Sequence, residues 1–259
     1  MLVQKKFLVS IDQINDIKDY ENVGVTTFLL PLRDYAIGFN NYFTIDDINK
    51  VKNAYVFINR ILTSKDIDNL KEIIPKLECK GIIFQDIGLI NIIKDREKIL
   101  YLNHFNSNIL TINEWLNYVD SVFIAAELSY DEYLYIANNV KKDVIFFTYG
   151  YNMIMYSRRY LISSYYDNFN INGPKDINID GLDNKFSLHL KENEYGTVGY
   201  TPKIFNGQRL LNLPHTLYNY INTVDIPKEK IIKFIQGNSD DSDCGFLDTK
   251  TIYKIKGEK

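Results

Sequence analysis

One local pattern recurs along the chain and restricts what it can fold into. An apolar run rich in β-branched and aromatic residues is followed by a polar break, then by a Ser or Thr with an acid or amide three residues on, then by an amphipathic stretch. It is legible at Ser10 to Gln13, Thr44 to Asp47, Thr63 to Asp66, Thr111 to Glu114 and Ser129 to Glu132. A Ser or Thr oxygen accepts an orphan N–H of a helix's first turn while the side chain three positions on reaches back, so each pair predicts a helix start. Strand then helix, repeated, is the pattern of an α/β protein with a parallel sheet.

Eight runs read as strands: 7–10, 27–31, 54–59, 81–86, 99–103, 121–126, 143–148 and 231–236. Several are continuous apolar runs (VFIN, GIIF, VIFF, IIKFI), as expected of strands covered on both faces. Helical patterns lie between them at 11–22, 45–53, 64–77, 89–95, 112–118, 130–139 and 214–223. In the third, Ile67, Leu70, Ile74 and Leu77 make one apolar stripe, and Pro75 predicts a kink or an early end. Eight strands with helical crossovers predict a TIM-barrel-like (β/α)8 fold, which abolishes sheet edges; an open doubly wound sheet is the alternative. A length of 259 residues suits one such domain spanning 1–259. One connection is long: 157–230 reads as an insertion over the barrel mouth, with GPKD and IDGLDNK as turn signals, a hairpin at 186–191 and 197–202, and a helix after Pro214.

Composition excludes some classes. Thirty Lys and Arg against 33 Asp and Glu give a net charge of −3, so there is no global attraction to nucleic acid. Cys79 and Cys244 form no CxxC or Cys/His group, which predicts a reducing, cytoplasmic setting. The N-terminus MLVQKKFLVS meets charge too soon for a secretory segment, and no apolar run approaches a membrane span. There is no GxGxxG after a strand, Walker motif, HExxH or GxSxG, so no cofactor or metal is expected. Asp240, Asp241 and Asp243 lack calcium-loop spacing and read as a solvated turn.

In a parallel barrel, chemistry collects just after the strands. The candidates there are Asn59 and Arg60, Gln85 and Asp86, His104 and Asn106, Glu127, Tyr149 and Gly150, and Gln236. Glu127 is the best placed for acid–base use, with a helix-dipole or ion-pair role as the plain alternative. His104 directly follows a strand and suits proton transfer at neutral pH, or else is a hydrogen-bonding loop residue. Arg158 and Arg159, adjacent in YGYNMIMYSRRYLISSYY with Tyr156, cannot face the same way on a regular element. One is expected to enter the mouth and hold a carboxylate or phosphate while the other braces Glu127; a solvated basic pair is the alternative. The catalytic set predicted is Glu127, His104, Arg158 and Arg159. Asn59, Gln85, Asp86, Asn106, Tyr149, Tyr151, Tyr156 and Gln236 are expected to bind substrate.

The segments FNNYFTIDDI, VFINRIL, GIIFQDIGLI, FIAAELSYDE, YGYNMIMYSRRYLISSYY, EYGTVGYTPK and KFIQG, in that order, resemble the peptidase U32 family of collagenase-like proteins in its short form. The resemblance implies a TIM-barrel-like catalytic domain. Some family members are described as peptidases; others resemble enzymes that hydroxylate RNA uridines or assist ubiquinone-ring hydroxylation through a cysteine-held iron–sulfur cluster. NMIMYSRRY carries no cysteine where those members place cluster ligands, and two cysteines are too few for a cubane. What the resemblance then implies is a cluster-free peptide hydrolase taking a peptide or small acidic ligand. The alternatives are an accessory protein in tRNA wobble-uridine hydroxylation that meets tRNA through a cluster-bearing paralogue, and a catalytically silent binding module.

Overall fold

A computed structural model describes residues 5–102, 104–181 and 187–250. The elements run β1 (Phe7–Ser10), α1 (Ile17–Glu21), β2 (Thr27–Pro31), α2 (Ile45–Ile48), β3 (Ala54–Ile58), α3 (Ser64–Ile73), β4 (Gly81–Phe84) and β5 (Glu97–Leu100). They continue with α4 (Ile109–Trp115), β6 (Ser121–Val122), α5 (Tyr130–Asn139), β7 (Val144–Gly150), β8 (Met153–Ser157), α6 (Leu161–Phe169) and β9 (Asp176–Asp180). The last are β10 (Ser187–Asn193), β11 (Gly196–Tyr200), β12 (Phe205–Asn206), β13 (Thr216–Ile221) and α7 (Lys228–Ile235). Asn103, Phe186 and most of the IDGLDNK signal lie outside the described residues.

Nine strands form one curled sheet in the order β12, β7, β13, β1, β2, β3, β4, β5, β6. Every pairing in it is parallel except β12 on β7. Just beyond β6, a parallel bridge joins Phe123 to Ile145 of β7, and Ile124 N–H donates to the Ile145 carbonyl at 2.9 Å, so the far end of the order returns to β7. The architecture is TIM-like, with rings packed inside the curl. Tyr55 and Tyr218 meet edge-on at one end, while Phe57, Tyr101, Phe123 and Tyr220 form an edge-to-face chain at the other, with centroids 5.0–5.3 Å apart. A second sheet, β8, β11, β10, β9, is antiparallel and belongs to the segment between β7 and β13.

Three of the five helix-start pairs are full capping boxes: Thr44 with Asp47, Thr63 with Asp66, and Ser129 with Glu132. Two are not. Ser10 is buried at the end of β1 and its hydroxyl lies 3.1 Å from that of Thr223. Thr111 is inside α4, whose cap is Asn108, accepting from Thr111 N–H at 3.0 Å. Pro75 ends α3 at Ile73, after which one 3-10 turn runs through Lys76. The pattern at 89–95 forms a 3-10 segment, Ile87–Asn91, rather than an α-helix.

The largest correction concerns the final strand. Of residues 231–236, read as a strand, 231–235 lie in α7 and Gln236 caps it: Ile231 and Phe234 are buried three apart while Glu229, Lys230 and Lys233 face water, a helical period behind Pro227. The strand is instead β13, inside the 214–223 stretch read as helical; it pairs β1 on one side and β7 on the other. Pro214 and His215, the latter at φ +52°, form the turn before it. The segment between the seventh and eighth parallel strands is therefore 151–215, not 157–230. Its hairpin holds as expected: β10 and β11 pair antiparallel, and Gly196 adopts φ +127° where a Cβ would stand 2.1 Å from the Ser157 carbonyl oxygen.

Candidate functional site

The C-terminal ends of the parallel strands carry the polar side chains, and the local fold determines which of them meet. Asn59, just past β3, is buried; its amide accepts from Ile37 N–H at 2.8 Å and donates to the Ile37 carbonyl at 3.0 Å. These two hydrogen bonds fasten the loop after β2 to the end of the neighbouring strand β3. Phe39 of that loop then packs edge-on to Phe57 at 5.5 Å. Gly38, at φ +82°, lets the loop approach so closely that a Cβ would stand 2.8 Å from Tyr200 Oη and 2.9 Å from Met153 Sδ.

The barrel mouth is consequently a packed layer. Phe57, Tyr101, Phe123, Tyr220 and Phe147 fill it from below, and Phe39, Met153 and Tyr151 from above. The space left is about 20 Å³, enough for about one water. No charged side chain lines it; its polar side-chain groups come from Asn59, Asn152, Asn222 and three tyrosines. Burial pushes the Tyr101 and Tyr220 phenols well above their ordinary range, so neither serves as a base near neutrality.

The titratable pair lies on the rim. His104, in the loop after β5, and Glu127, in the loop after β6, meet with Nδ1 3.2 Å from Oε1. Their side chains are 39% and 42% exposed, so the contact is wet and screened. Asn106, fully buried between them in sequence, donates to the Phe123 carbonyl at 2.9 Å, and its own carbonyl accepts from Ala125 N–H at 3.0 Å; it braces the loop, with Oδ1 left without a partner.

Arg158 and Arg159 follow β8 and are exposed, and neither lines the mouth cavity. Glu127 has His104, not an arginine, beside it. Arg158 borders a separate cleft of about 330 Å³ with Arg60, Asp66, Tyr156, Glu194 and Tyr195. There Arg60 donates to Asp66 at 2.7 Å and lies 4.7 Å from the centroid of the Tyr195 ring. Burial and the Asp34 carboxylate that accepts its O–H push the Tyr195 phenol up to about 12. Tyr156 donates to the Tyr195 carbonyl at 3.1 Å, which closes the cleft's base. The Arg159 carbonyl accepts from Thr197 at 2.9 Å.

Of the other candidates, Tyr151 lines the mouth, Gln85 is exposed on the rim, and Asp86 caps a turn by accepting from Gly88 N–H at 2.8 Å. Tyr149 is turned away from the mouth. The β7–β13 register shifts between Tyr220 and Ile221, and the extra residue sends Tyr149 outward, to stack on Phe234 of α7 at 4.3 Å and donate to Asp241 at 2.6 Å. Gln236 ends α7 in solvent and is not at a strand end. Sequence reading missed Asn222, whose amide donates to the Tyr151 carbonyl at 2.9 Å, because the strand before it was read as a helix. A further group, Asp176, His189 and Asp225, gives no linear signal, since its members come from three elements.

The family model for peptidase family U32 matches residues 43–178, more than half of the chain. The chain belongs to peptidase family U32. The match runs from the residues before α2 to the start of β9 and so includes Asn59, His104, Glu127 and both arginines of this U32 protein. Among solved structures, the U32 chain is similar to the U32 peptidase Mk0906, at 9% identity over 57% of this chain and 69% of that one, with a TM-score of 0.47. It is also similar to the Bacillus cereus spore cortex-lytic enzyme SleL, at 10% identity over 91% of this chain and 75% of that one, with a TM-score of 0.46. A chitinase from Chromobacterium violaceum ATCC 12472 aligns at 9% identity over 90% and 98% of the two chains, with a TM-score of 0.44. No curated protein matches the sequence.

Proposed function

We propose that this U32 chain is a complete (β/α)8 barrel, closed by the Phe123–Ile145 bridge, that hydrolyses peptides on its C-terminal rim. The observation that carries this reading is the His104 Nδ1 to Glu127 Oε1 contact at 3.2 Å, which brings two strand-end groups from separate loops into one acid–base pair. When the ring proton sits on Nδ1, facing Glu127, Nε2 is the free base. It takes a proton from water as the water oxygen bonds to the scissile carbonyl carbon, and returns that proton to the departing amine as the C–N bond breaks. Glu127 fixes the tautomer and steadies the imidazolium. The Arg60 and Arg158 cleft holds the peptide's terminal carboxylate, Arg158 being the more open of the two guanidinium groups. Cys79 and Cys244, the two cysteines of the sequence, are fewer than a cubane cluster requires.

The test is cleavage of a fluorogenic peptide library. H104A and E127Q should each lower kcat/KM by about 100-fold or more with unchanged circular dichroism, and R158A should raise KM for peptides with a free C-terminus but not for amidated ones. A second reading, a silent peptide-binding module, is favoured by the uncharged and nearly filled mouth. Binding of the same peptides without cleavage, unaffected by E127Q, would select it. Nothing lining the mouth is basic, so an RNA-directed role draws on family membership alone.

A further inference from the structure

Across the antiparallel β9–β10 pair, His189 faces Asn178 and Lys191 faces Asp176, which sets these side chains beside the loop between β13 and α7 that carries Asp225. His189 Nδ1 lies 2.9 Å from Asn178 Oδ1. An amide oxygen only accepts, so Nδ1 carries a proton, and in the neutral ring Nε2 then presents a lone pair. That nitrogen is shielded from water and has no hydrogen-bond partner, yet it stands 3.0 Å from Asp176 Oδ1 and 3.6 Å from Asp225 Oδ2. A lone pair facing two carboxylate oxygens is repulsive unless a positive species lies among them, and the Lys191 ammonium, 2.6 Å from Asp225 Oδ2, reaches the carboxylates but not the ring nitrogen. A proton on Nε2 answers poorly: it makes no hydrogen bond to Asp176 Oδ1 at 3.0 Å, and Asp225 Oδ2 at 3.6 Å is out of range. A metal ion asks for a different geometry. Ligand atoms about 2.0–2.1 Å from a tetrahedral ion lie about 3.4 Å from one another, between the two observed separations. All three ligand atoms fall within 4.8 Å of one another.

We propose that His189, Asp176 and Asp225 bind one divalent transition-metal ion, with Zn²⁺ as the reference ion, and that it clamps the insertion sheet to the barrel. One nitrogen and two carboxylate oxygens form a donor set that such ions accept, with water as the fourth ligand. The Asn178 contact orients the imidazole as the outer partner of a metal-bound histidine does. The adjoining cleft of about 350 Å³, bordered by Asp176 and Lys191, supplies the entry path. Lys191 is the competitor: its ammonium is 2.6 Å from both Asp225 oxygens and 3.6 Å from Asp176 Oδ2. The ion displaces it toward Asn40 Oδ1, already 3.2 Å away. The clamp is separate from the His104–Glu127 pair and holds whether or not the chain is a hydrolase.

The experiment is titration calorimetry of the full, chelator-treated chain with ZnCl2 near neutral pH, paired with thermal melting. One equivalent should bind with micromolar or tighter affinity and raise the melting temperature. H189A and D225N should weaken binding at least 10-fold, and K191M, which removes the resident cation, should tighten it. Melting in chelator shows whether each variant folds, and D176N supplies a second ligand deletion should H189A fail to fold. Binding that survives H189A and D225N would belong to the cysteines or the surface and would overturn the proposal. An absence of binding in both the wild type and K191M would do the same.

Discussion

Glu192 gives the sharpest test of how the insertion is held. Its side chain is fully buried and sits over the first turn of α6, where Tyr160 provides no side-chain cap. It accepts Ile162 N–H at 2.8 Å, Ser163 N–H at 3.2 Å and the Ser163 hydroxyl, while Thr197 Oγ1, 3.1 Å away, accepts Leu161 N–H at 3.0 Å. A carboxylate from another strand therefore satisfies the orphan donors of the helix and meets its positive end. Burial alone would raise the Glu192 pKa, but the hydrogen bonds from Ser163 and Ile162 outweigh it and hold the group below its ordinary value. Glu192→Ala strands three donors in a site closed to water. The expected loss is about 3–5 kcal/mol, as for breaking a buried charged contact, or a fall on the order of 10 °C in Tm for a chain of this size. Glu192→Gln keeps the shape and one acceptor oxygen but loses the charge, and should cost about 1–2 kcal/mol. Because the native pKa is depressed, the charge's contribution is complete above the unfolded-state value and disappears as pH falls through the native one. Urea denaturation should thus show the wild type and Glu192→Gln converging as the pH is lowered. A Glu192→Ala loss under about 1 kcal/mol at neutral pH, or a Gln gap that ignores pH, would refute the reasoning.

Three further outcomes follow from single contacts. Gly38→Ala puts a Cβ against Tyr200 and Met153 at a positive φ and should cost about 1–3 kcal/mol in urea denaturation, loosening the plug over the mouth. Asn108→Ala should cost about 1 kcal/mol while Thr111→Ala costs under about 0.5, since Asn108 is the α4 cap; the reverse order would restore Thr111 to that role. Burial works against the Asp241 carboxylate, yet hydrogen bonds from Tyr149 and Lys230 hold it below its ordinary range. Tyr149→Phe should therefore move the Asp241 titration upward by NMR and cost about 1 kcal/mol, a contribution present at neutral pH and lost on acidification.

What could be read from the sequence was what neighbours in the chain decide. β1 and β2 fall where their apolar runs predict, and the boxes at Thr44, Thr63 and Ser129 are local hydrogen-bond patterns that need no tertiary partner. That His104 and Glu127 follow the ends of β5 and β6 was legible by the same logic, but their contact was not, since the sequence pointed to an arginine beside Glu127. The final strand was not. IIKFI looks continuous as text, but its buried positions, Ile231 and Phe234, are a helical step apart; TLYNYI has Asn219 in its centre, acceptable only because that amide donates to the Lys6 carbonyl. Tyr149 reads as a strand-end residue because its apolar run stops at Thr148; β7 continues to Gly150, and the register shift beside Thr148 turns Tyr149 outward with no mark in the local sequence. The plug is the least legible part. It depends on Asn59 holding Ile37, 22 residues away, and on Tyr200 and Met153 meeting Gly38 from another sheet.

The plug also decides where a ligand can be. An opening of about 20 Å³ admits no peptide side chain, so the aromatic layer is a floor, and any chemistry belongs above it. His104 and Glu127 do not line this space, and at about 40% exposure their contact is worth little in bulk water. Such a pair becomes effective only when the substrate itself excludes solvent. Phe105, next to His104 in the chain, is 71% exposed, and Leu110, six residues after His104 at the start of α4, is 81% exposed, both apolar. A peptide laid across them would bury apolar surface next to the pair and lower the local dielectric when the scissile carbonyl arrives. The hydrolytic reading therefore requires extended peptides to be cleaved far faster than dipeptides that cannot span from Phe105 to Leu110. Equal rates for the two would leave the rim pair without the desolvation it needs, and would favour the silent module.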